Sequence, residues 1–363
     1  YSTDRGITWT PRSDGGGTTS PIIVTADSSD GITSLANGTT YDVQIRAVNS
    51  LGTGDASNDV SGTPKTVPDA PSLSAAVPGH LSAVLAFSPG GNGGAAITGY
   101  EYSTDGGSTW ASMGTRVSPF TITALSTDGT TPLANGTTYG VKIRAVNSQG
   151  QGQASSTLQV TPRTTPGVPS LGAISTGDRS ISIAFTEGGN GGNAITGYEY
   201  STDGGVTWRT RTAGFSMTSS PITITKLSSD GLTSLVNGTS YDVQIRAVND
   251  AGHGQETTTV SGIPTSVPGA PTITSITAGD GRLTVNFSAG SPNGRAILSN
   301  EISVDGGNSW ITVAGASSPV IVTGLTNGTT YTVLLHHVNA NGSGDDSSPA
   351  LATPITHPDS PVI

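Results

Sequence analysis

The sequence predicts an all-β chain built from tandem β-sandwiches, and three observations carry that prediction. The stretch Leu133-Ala-Asn-Gly-Thr-Thr-Tyr-Gly-Val-Lys-Ile-Arg-Ala-Val-Asn147 occurs four times, the other copies running from Leu35 to Asn49, Leu235 to Asn249 and, more loosely, Leu325 to Asn339. Each copy alternates with a period of two, placing Tyr139, Val141, Ile143 and Ala145 on one face and Gly140, Lys142, Arg144 and Val146 on the other, as a strand with one buried face requires. With 51 glycines, 22 prolines and only 11% charged residues in 363, the composition describes many short strands joined by turns.

Asn-Gly before each alternating run tolerates positive φ and lets the chain reverse sharply. A tyrosine recurs two residues before an apolar position, at Tyr41, Tyr139, Tyr241 and Tyr331. Turn, tyrosine and Val-x-Ile-x-Ala-x-Asn strand together resemble strand F of a fibronectin type III domain, with its tyrosine corner. The resemblance covers nearly the whole chain. It implies immunoglobulin-like sandwiches of seven strands each, set end to end as an elongated rod. It specifies no single function, because such sandwiches serve as spacers, adhesive modules and receptor modules.

Residues 1–66 read as the later part of one domain, since Tyr1-Ser-Thr-Asp-Arg-Gly-Ile-Thr-Trp9 matches Tyr102 to Trp110 and Tyr200 to Trp208. The strands before that tyrosine are expected to be missing, which leaves an inner face wet and an edge open to strand capture. Residues 67–164 make a complete domain. Pro71 to Ala76 is the first strand, Leu81, Ala83, Leu85 and Phe87 alternate in the second, and Ile97 to Ser103 is the third. Asp105-Gly-Gly then turns the chain toward Trp110, Pro119 to Leu125 is the next strand, and Ser155 to Thr161 closes the sandwich after the tyrosine strand. Residues 165–265 repeat this with Phe185 and Trp208, and residues 266–356 with Phe287 and Trp310. Residues 357–363 read as the start of a further repeat or a tail. The expected core anchors are Tyr41, Tyr139, Tyr241, Tyr331, Trp9, Trp110, Trp208, Trp310, Phe87, Phe185 and Phe287.

Each linker, such as Val67-Pro-Asp-Ala-Pro71 or Val267-Pro-Gly-Ala-Pro271, carries two prolines and is expected to be short and stiff. In the first three repeats eight extra residues, such as Ser126 to Leu133, precede the tyrosine. They predict a protruding loop that is decoration or a brace against the neighbouring domain, or else a ligand-binding loop.

Catalytic chemistry finds no foothold. The five histidines, His80, His253, His336, His337 and His357, recur at no equivalent position, and no nucleophile elbow, zinc-binding helix motif or phosphate-cradling loop is present. Cysteine is absent, which removes disulfides and thiolate chemistry. Asp105, Asp203 and Asp305 each offer a calcium ion one carboxylate where several are needed, so they read as hairpin turns; Asp30, Asp128 and Asp230 remain candidates for a calcium site between domains. Asn37, Asn135, Asn237, Asn327, Asn286 and Asn341 satisfy the glycosylation sequon, although the turn already explains Asn-Gly. Arg46, Arg144 and Arg246 share one outward position, with Glu101 and Glu199 on the neighbouring strand, so cross-strand ion pairs are expected. In the last repeat His336 replaces the arginine and His337 the alanine, read as a structural pair. With three lysines at non-equivalent positions, no lysine-asparagine isopeptide lock is expected.

The net charge of −10 and scattered basic residues argue against nucleic acid, and no apolar run is long enough to span a membrane. The sequence therefore points to a non-enzymatic, cofactor-free repeat region of an extracellular, cell-surface or virion fibre, resembling bacterial or phage surface proteins. Its expected partners are neighbouring repeats, other copies in a filament, and a glycan or host-surface protein. The alternatives are accessory glycan- or protein-binding modules of a secreted glycan-degrading enzyme or adhesin.

Overall fold

The computed structural model describes residues 1–12, 17–115, 117–211 and 217–356; His357 and the expected tail at 357–363 lie outside them. The described residues are all strand, turn and loop. They divide into two compact units, Tyr1–Thr164 with Gly191–Asn193, and Thr165–Asn190 with Ala194–Ile363.

In the first unit Ser72–Gly79 pairs with Ser82–Ser88, which pairs with Phe120–Ile122, giving an antiparallel three-stranded sheet. A second sheet runs Gly150–Ala154, Tyr139–Asn147, Gly99–Ser103, Ala111–Ser112, and Leu158–Val160 pairs with the other end of Tyr139–Asn147. The last two pieces along the chain are one strand interrupted at Ser155, whose amide donates to the Ile143 carbonyl while its hydroxyl accepts the Ile143 amide at 3.1 Å. Counted so, seven strands form two facing sheets, a β-sandwich. Leu85, Phe87 and Ile122 from one sheet meet Tyr100, Tyr102, Val141 and Ile143 from the other in a single core. Leu81, expected to open the second strand, instead takes a positive φ of 49° in the turn before it.

The second unit repeats this architecture twice. Three-stranded sheets form from Ser170–Gly177, Ser180–Thr186 and Ile222–Ile224, and from Thr272–Gly279, Arg282–Ser288 and Val320–Thr323. The facing sheets are centred on Tyr241–Asn249 paired with Gly197–Ser201, and on Tyr331–Asn339 paired with Ile297–Ser303.

Residues 1–66 carry strands Tyr41–Val43 and Val60–Gly62 but, among the described residues, no counterpart of the three-stranded sheet. Ile45 is accordingly 44% exposed, where its equivalents Ile143 and Ile245 are fully buried. It borders a cavity of about 840 Å³ lined also by Tyr1, Trp9, Ile22 and Val48.

The tyrosine corner is present in all four repeats. The amides of Ala36, Ala134, Val236 and Thr326 donate to the hydroxyl oxygens of Tyr41, Tyr139, Tyr241 and Tyr331 at 2.9 to 3.0 Å. Phe87, Phe185 and Phe287 are buried as expected. The tryptophans are not core residues, which corrects the sequence reading of Trp9, Trp110, Trp208 and Trp310. Strand parity explains it: Ala111 and Met113 turn inward to the core, and Trp110 lies under Arg144, a residue of the outer face.

Candidate functional site

Two arrangements recur with enough geometry to bear on function: a ladder on the outer face of the larger sheet, and the joints between consecutive sandwiches within each unit.

The ladder begins with strand register. Arg144 sits opposite Glu101 and Arg246 opposite Glu199, and each guanidinium meets its glutamate, at 2.6 and 2.7 Å. Each also covers an indole, Arg46 over Trp9, Arg144 over Trp110 and Arg246 over Trp208, at 4.1 to 4.3 Å from the ring centroid. The expected cross-strand pairs are therefore present, with a cation–π contact that sequence reasoning did not supply. In the fourth repeat His336 stacks on Trp310, centroids 4.0 Å apart. Its Nε2 and Nδ1 lie 2.7 Å from Glu301 and 2.8 Å from Asp346. The two carboxylates occupy opposite sides of the ring and do not converge on one point. The hydrogen bond from His336 is the leading cause that holds the Glu301 carboxyl below its usual range.

The eight-residue insertions are not simple protrusions. Leu133 and Leu235 are 1% exposed and belong to the cores. Ser126, at the insertion's start, accepts the Thr104 amide at 2.9 Å and shares its hydroxyl with Thr104 and Thr109, while its own amide donates to Thr104 Oγ1. Ser28 and Ser228 repeat this with Thr3 and Thr8, and with Thr202 and Thr207. The fourth repeat lacks the insertion and has Val304 where the others have threonine. The insertion is thus a brace against its own hairpin.

The aspartates are turn caps. Asp128 accepts the amides of Thr130 and Thr131 and the Thr131 hydroxyl, and these bonds, the hydroxyl foremost, hold its carboxyl at about 2. Thr233 does the same for Asp230, and Ser309 leads for Asp305 in the hairpin turn. The Asn-Gly asparagines of the three complete repeats are also engaged. Asn135, Asn237 and Asn327 each accept a backbone amide from the turn between the first two strands of their sandwich, at 2.8 to 2.9 Å. Asn237 and Asn327 in addition donate to Asp178 and Asp280.

The joints use the glycine-rich loops. In the first unit Gly94 lies so close to the Asn37-Gly38 turn of the preceding repeat that a Cβ on it would stand 2.3 Å from the Gly38 nitrogen and 2.8 Å from the Pro64 carbonyl oxygen, and its φ of +81° excludes most side chains besides. Gly38 donates to Pro64, Thr66 to Gly93 and Asp69 to Gly91, at 2.7 to 2.9 Å. Asn147, 5% exposed, donates from Nδ2 to both Thr66 and Asn92, joining the linker to the loop. The second unit repeats the clasp. Gly294 faces Gly238 and Pro264, Gly238 donates to Pro264, Ser266 to Asn293 and Gly269 to Ser291, and Asn339 reaches Ser266 and Pro292. The linkers are held by backbone hydrogen bonds as well as by proline.

No family model matches the chain. A Kelch domain-containing protein of Sulfurisphaera tokodaii is 34% identical over 122 residues, 34% of this chain and 16% of that protein. A Kelch domain-containing protein of Saccharolobus solfataricus is 28% identical over 192 residues, 52% of this chain and 24% of that protein. The chain thus spans about a quarter or less of the length of the curated relatives it matches. Among solved structures, the FN1-FN3 domains of chicken CNTN1 are 16% identical, cover 80% of this chain and 99% of that one, and superpose with a TM-score of 0.26. The β-sandwich assignment rests on the strand pairing and shared cores described above.

Proposed function

We propose that the chain is a non-catalytic, fibronectin type III-like repeat region that acts as a spacer or stalk in an extracellular, cell-surface or virion-associated protein. The observation that carries this reading is the clasp, which ties linker, preceding turn and following loop together in the same way in both units. A chain selected only to bind through one sandwich has no need to repeat a clasp of three backbone hydrogen bonds and a buried asparagine at the linker within each unit. The neighbouring repeats are the partners this geometry serves.

The test uses the absence of native cysteine. Spin labels placed at Asp59→Cys and Ser156→Cys, both exposed and on either side of the first joint, are expected to give one narrow distance distribution. A broad distribution, as from a flexible tether, would sink the spacer reading.

A second reading is favoured by the archaeal relatives. Their names place a Kelch domain in the same proteins, so the repeats could serve there as accessory modules beside that domain. Glycan or protein binding by the isolated full chain would support it over the spacer.

A further inference from the structure

One cross-strand position of the larger sheet is filled differently in the last repeat. Tyr100 stands opposite Ala145 and Tyr198 opposite Ala247, whereas Asn300 stands opposite His337. Asn300 and His337 are both fully buried. His337 Nδ1 lies 2.6 Å from Asn300 Oδ1, and Nε2 accepts the Gly290 amide at 3.3 Å. Those two contacts place the hydrogen on Nδ1 and leave a lone pair on Nε2.

The same histidine supports both walls of the joint. Gly290 packs without room for a side chain against the carbonyls of Gly269 and Ala270 in the linker. The His337 carbonyl accepts the Gly344 amide at 2.8 Å, and the next residue, Asp345, donates to Pro268 of the linker.

We propose that His337 makes the joint between the third and fourth sandwiches acid-sensitive: a proton on Nε2 removes the acceptor for Gly290 and loosens the linker clasp. The proposal rests on, and deepens, the reading of the joints as clasped. The joint between the first and second sandwiches has Ala145 at this position and lacks the device.

Among the described residues, nothing packed against the ring supplies a counter-charge. Phe287, centroid 5.6 Å away, Asn300 and Gly290 carry no charge, and the Val267-Pro-Gly-Ala-Pro271 linker contains no ionisable side chain. His336, next on the strand, faces the outer surface and there engages Glu301 and Asp346; Asp345 is exposed. Burial first, and then His336, push the His337 pKa below the ordinary histidine value. A buried group of this kind resists the charged form because the interior cannot solvate it. With the folded value below the unfolded one, the closed joint is fully stable above the ordinary histidine range and loses stability as the pH falls below it.

Amide hydrogen exchange on the full chain at about pH 7.5 and about pH 5, corrected for intrinsic exchange, reads this directly. Residues 266–294 are expected to lose protection severalfold at the lower pH while residues 66–94 do not. In the double variant Asn300→Tyr with His337→Ala, which restores the pair used by the other repeats, the difference is expected to vanish. Equal behaviour of the two joints, no loss at 266–294, or an undiminished loss in the double variant would each overturn the proposal. If the double variant does not fold, the comparison of the two wild-type joints decides alone. Poor protection at both joints already at about pH 7.5 would overturn the clasped-joint reading itself, a different result from protection that simply ignores pH.

Discussion

The guanidinium of Arg144 lies 4.3 Å from the centroid of the Trp110 ring and 2.6 Å from the Glu101 carboxylate, so one side chain bridges its own strand, the neighbouring Gly99–Ser103 strand and the hairpin that follows that neighbour. Both side chains of the ion pair are about three-quarters covered. Arg144→Ala is therefore expected to destabilise the second sandwich by about 1–2 kcal/mol, the sum of a partly desolvated cation–π contact and a partly screened ion pair. Arg144→Lys keeps the charge but loses the planar fork and recovers only part of this. Denaturant titration, with a double-mutant cycle against Glu101→Gln, checks both statements.

The corner hydroxyl of Tyr139 accepts the Ala134 amide at 3.0 Å. Tyr139→Phe removes that acceptor and leaves the ring in place, so a loss of about 1 kcal/mol is expected. Tyr139→Ala also opens space against the core that the ring packs on and is expected to unfold the second sandwich locally. Unchanged melting of the alanine variant would remove the corner from the account of stability.

Ser126 is 3% exposed and is the acceptor for the Thr104 amide. Ser126→Ala strands that amide in the interior, at an expected cost of about 1–3 kcal/mol. The insertion is then expected to exchange its amides faster than the hairpin it leaves. Equal acceleration of both segments would mean that the loop is not docked by this serine.

Acid should act on the chain in two windows. The capping carboxylates of Asp4, Asp30, Asp128, Asp230 and Asp305 are held at about 2 by the hydroxyl and amide bonds they accept. Their folded values lie below the unfolded ones, so their contribution is intact above about pH 4 and is lost as the pH falls toward 2. His337 acts in the earlier window, below the ordinary histidine value, and in the fourth sandwich alone. Asp128→Asn keeps a turn-capping side chain but no titration. It is expected to flatten the low-pH exchange profile of residues 126–133 and leave the other repeats unchanged.

Much of this was legible in the sequence because it is local or periodic. The alternation from Tyr139 to Asn147 displays its buried face in nine residues, and the Arg144–Glu101 pair follows once the two strands are neighbours. The misassigned tryptophans show where periodicity stops: Trp110 follows a turn, and a turn resets which face the next residue takes. The braces were hidden for another reason. Thr104, Thr109 and Ser126 are common residue types separated by up to 22 positions, and nothing in their spacing announces a shared hydroxyl cluster. The glycine loops carry no comparable signal, since the backbone that makes Gly94 obligatory belongs to the preceding repeat. The exchange of Tyr and Ala for Asn300 and His337 is visible as a substitution, but its consequence depends on a cross-strand register that places the two side chains together.

The joints give the most direct connection between one residue and the proposed role. Gly94→Ala adds a single methyl group where the nearest atom of the preceding repeat is 2.3 Å away, and that atom is backbone, which cannot rotate aside. The loop must move off the turn. Asn147→Ala introduces no steric clash but removes both Nδ2 bonds that hold Thr66 and Asn92 together, along with the local bond its Oδ1 accepts from the Gln149 amide. Each variant lies outside the core, so the second sandwich is expected to keep its strands, while the joint loses about 1–3 kcal/mol of clasping energy. With labels at Asp59→Cys and Ser156→Cys, both substitutions are expected to broaden the distance distribution while far-ultraviolet circular dichroism stays unchanged. Since the two act by unrelated means, steric in one case and hydrogen bonding in the other, a shared broadening identifies the clasp as what sets the angle between sandwiches. A distribution as narrow as the parent's in both would assign that stiffness to the prolines of Val67-Pro-Asp-Ala-Pro71 alone.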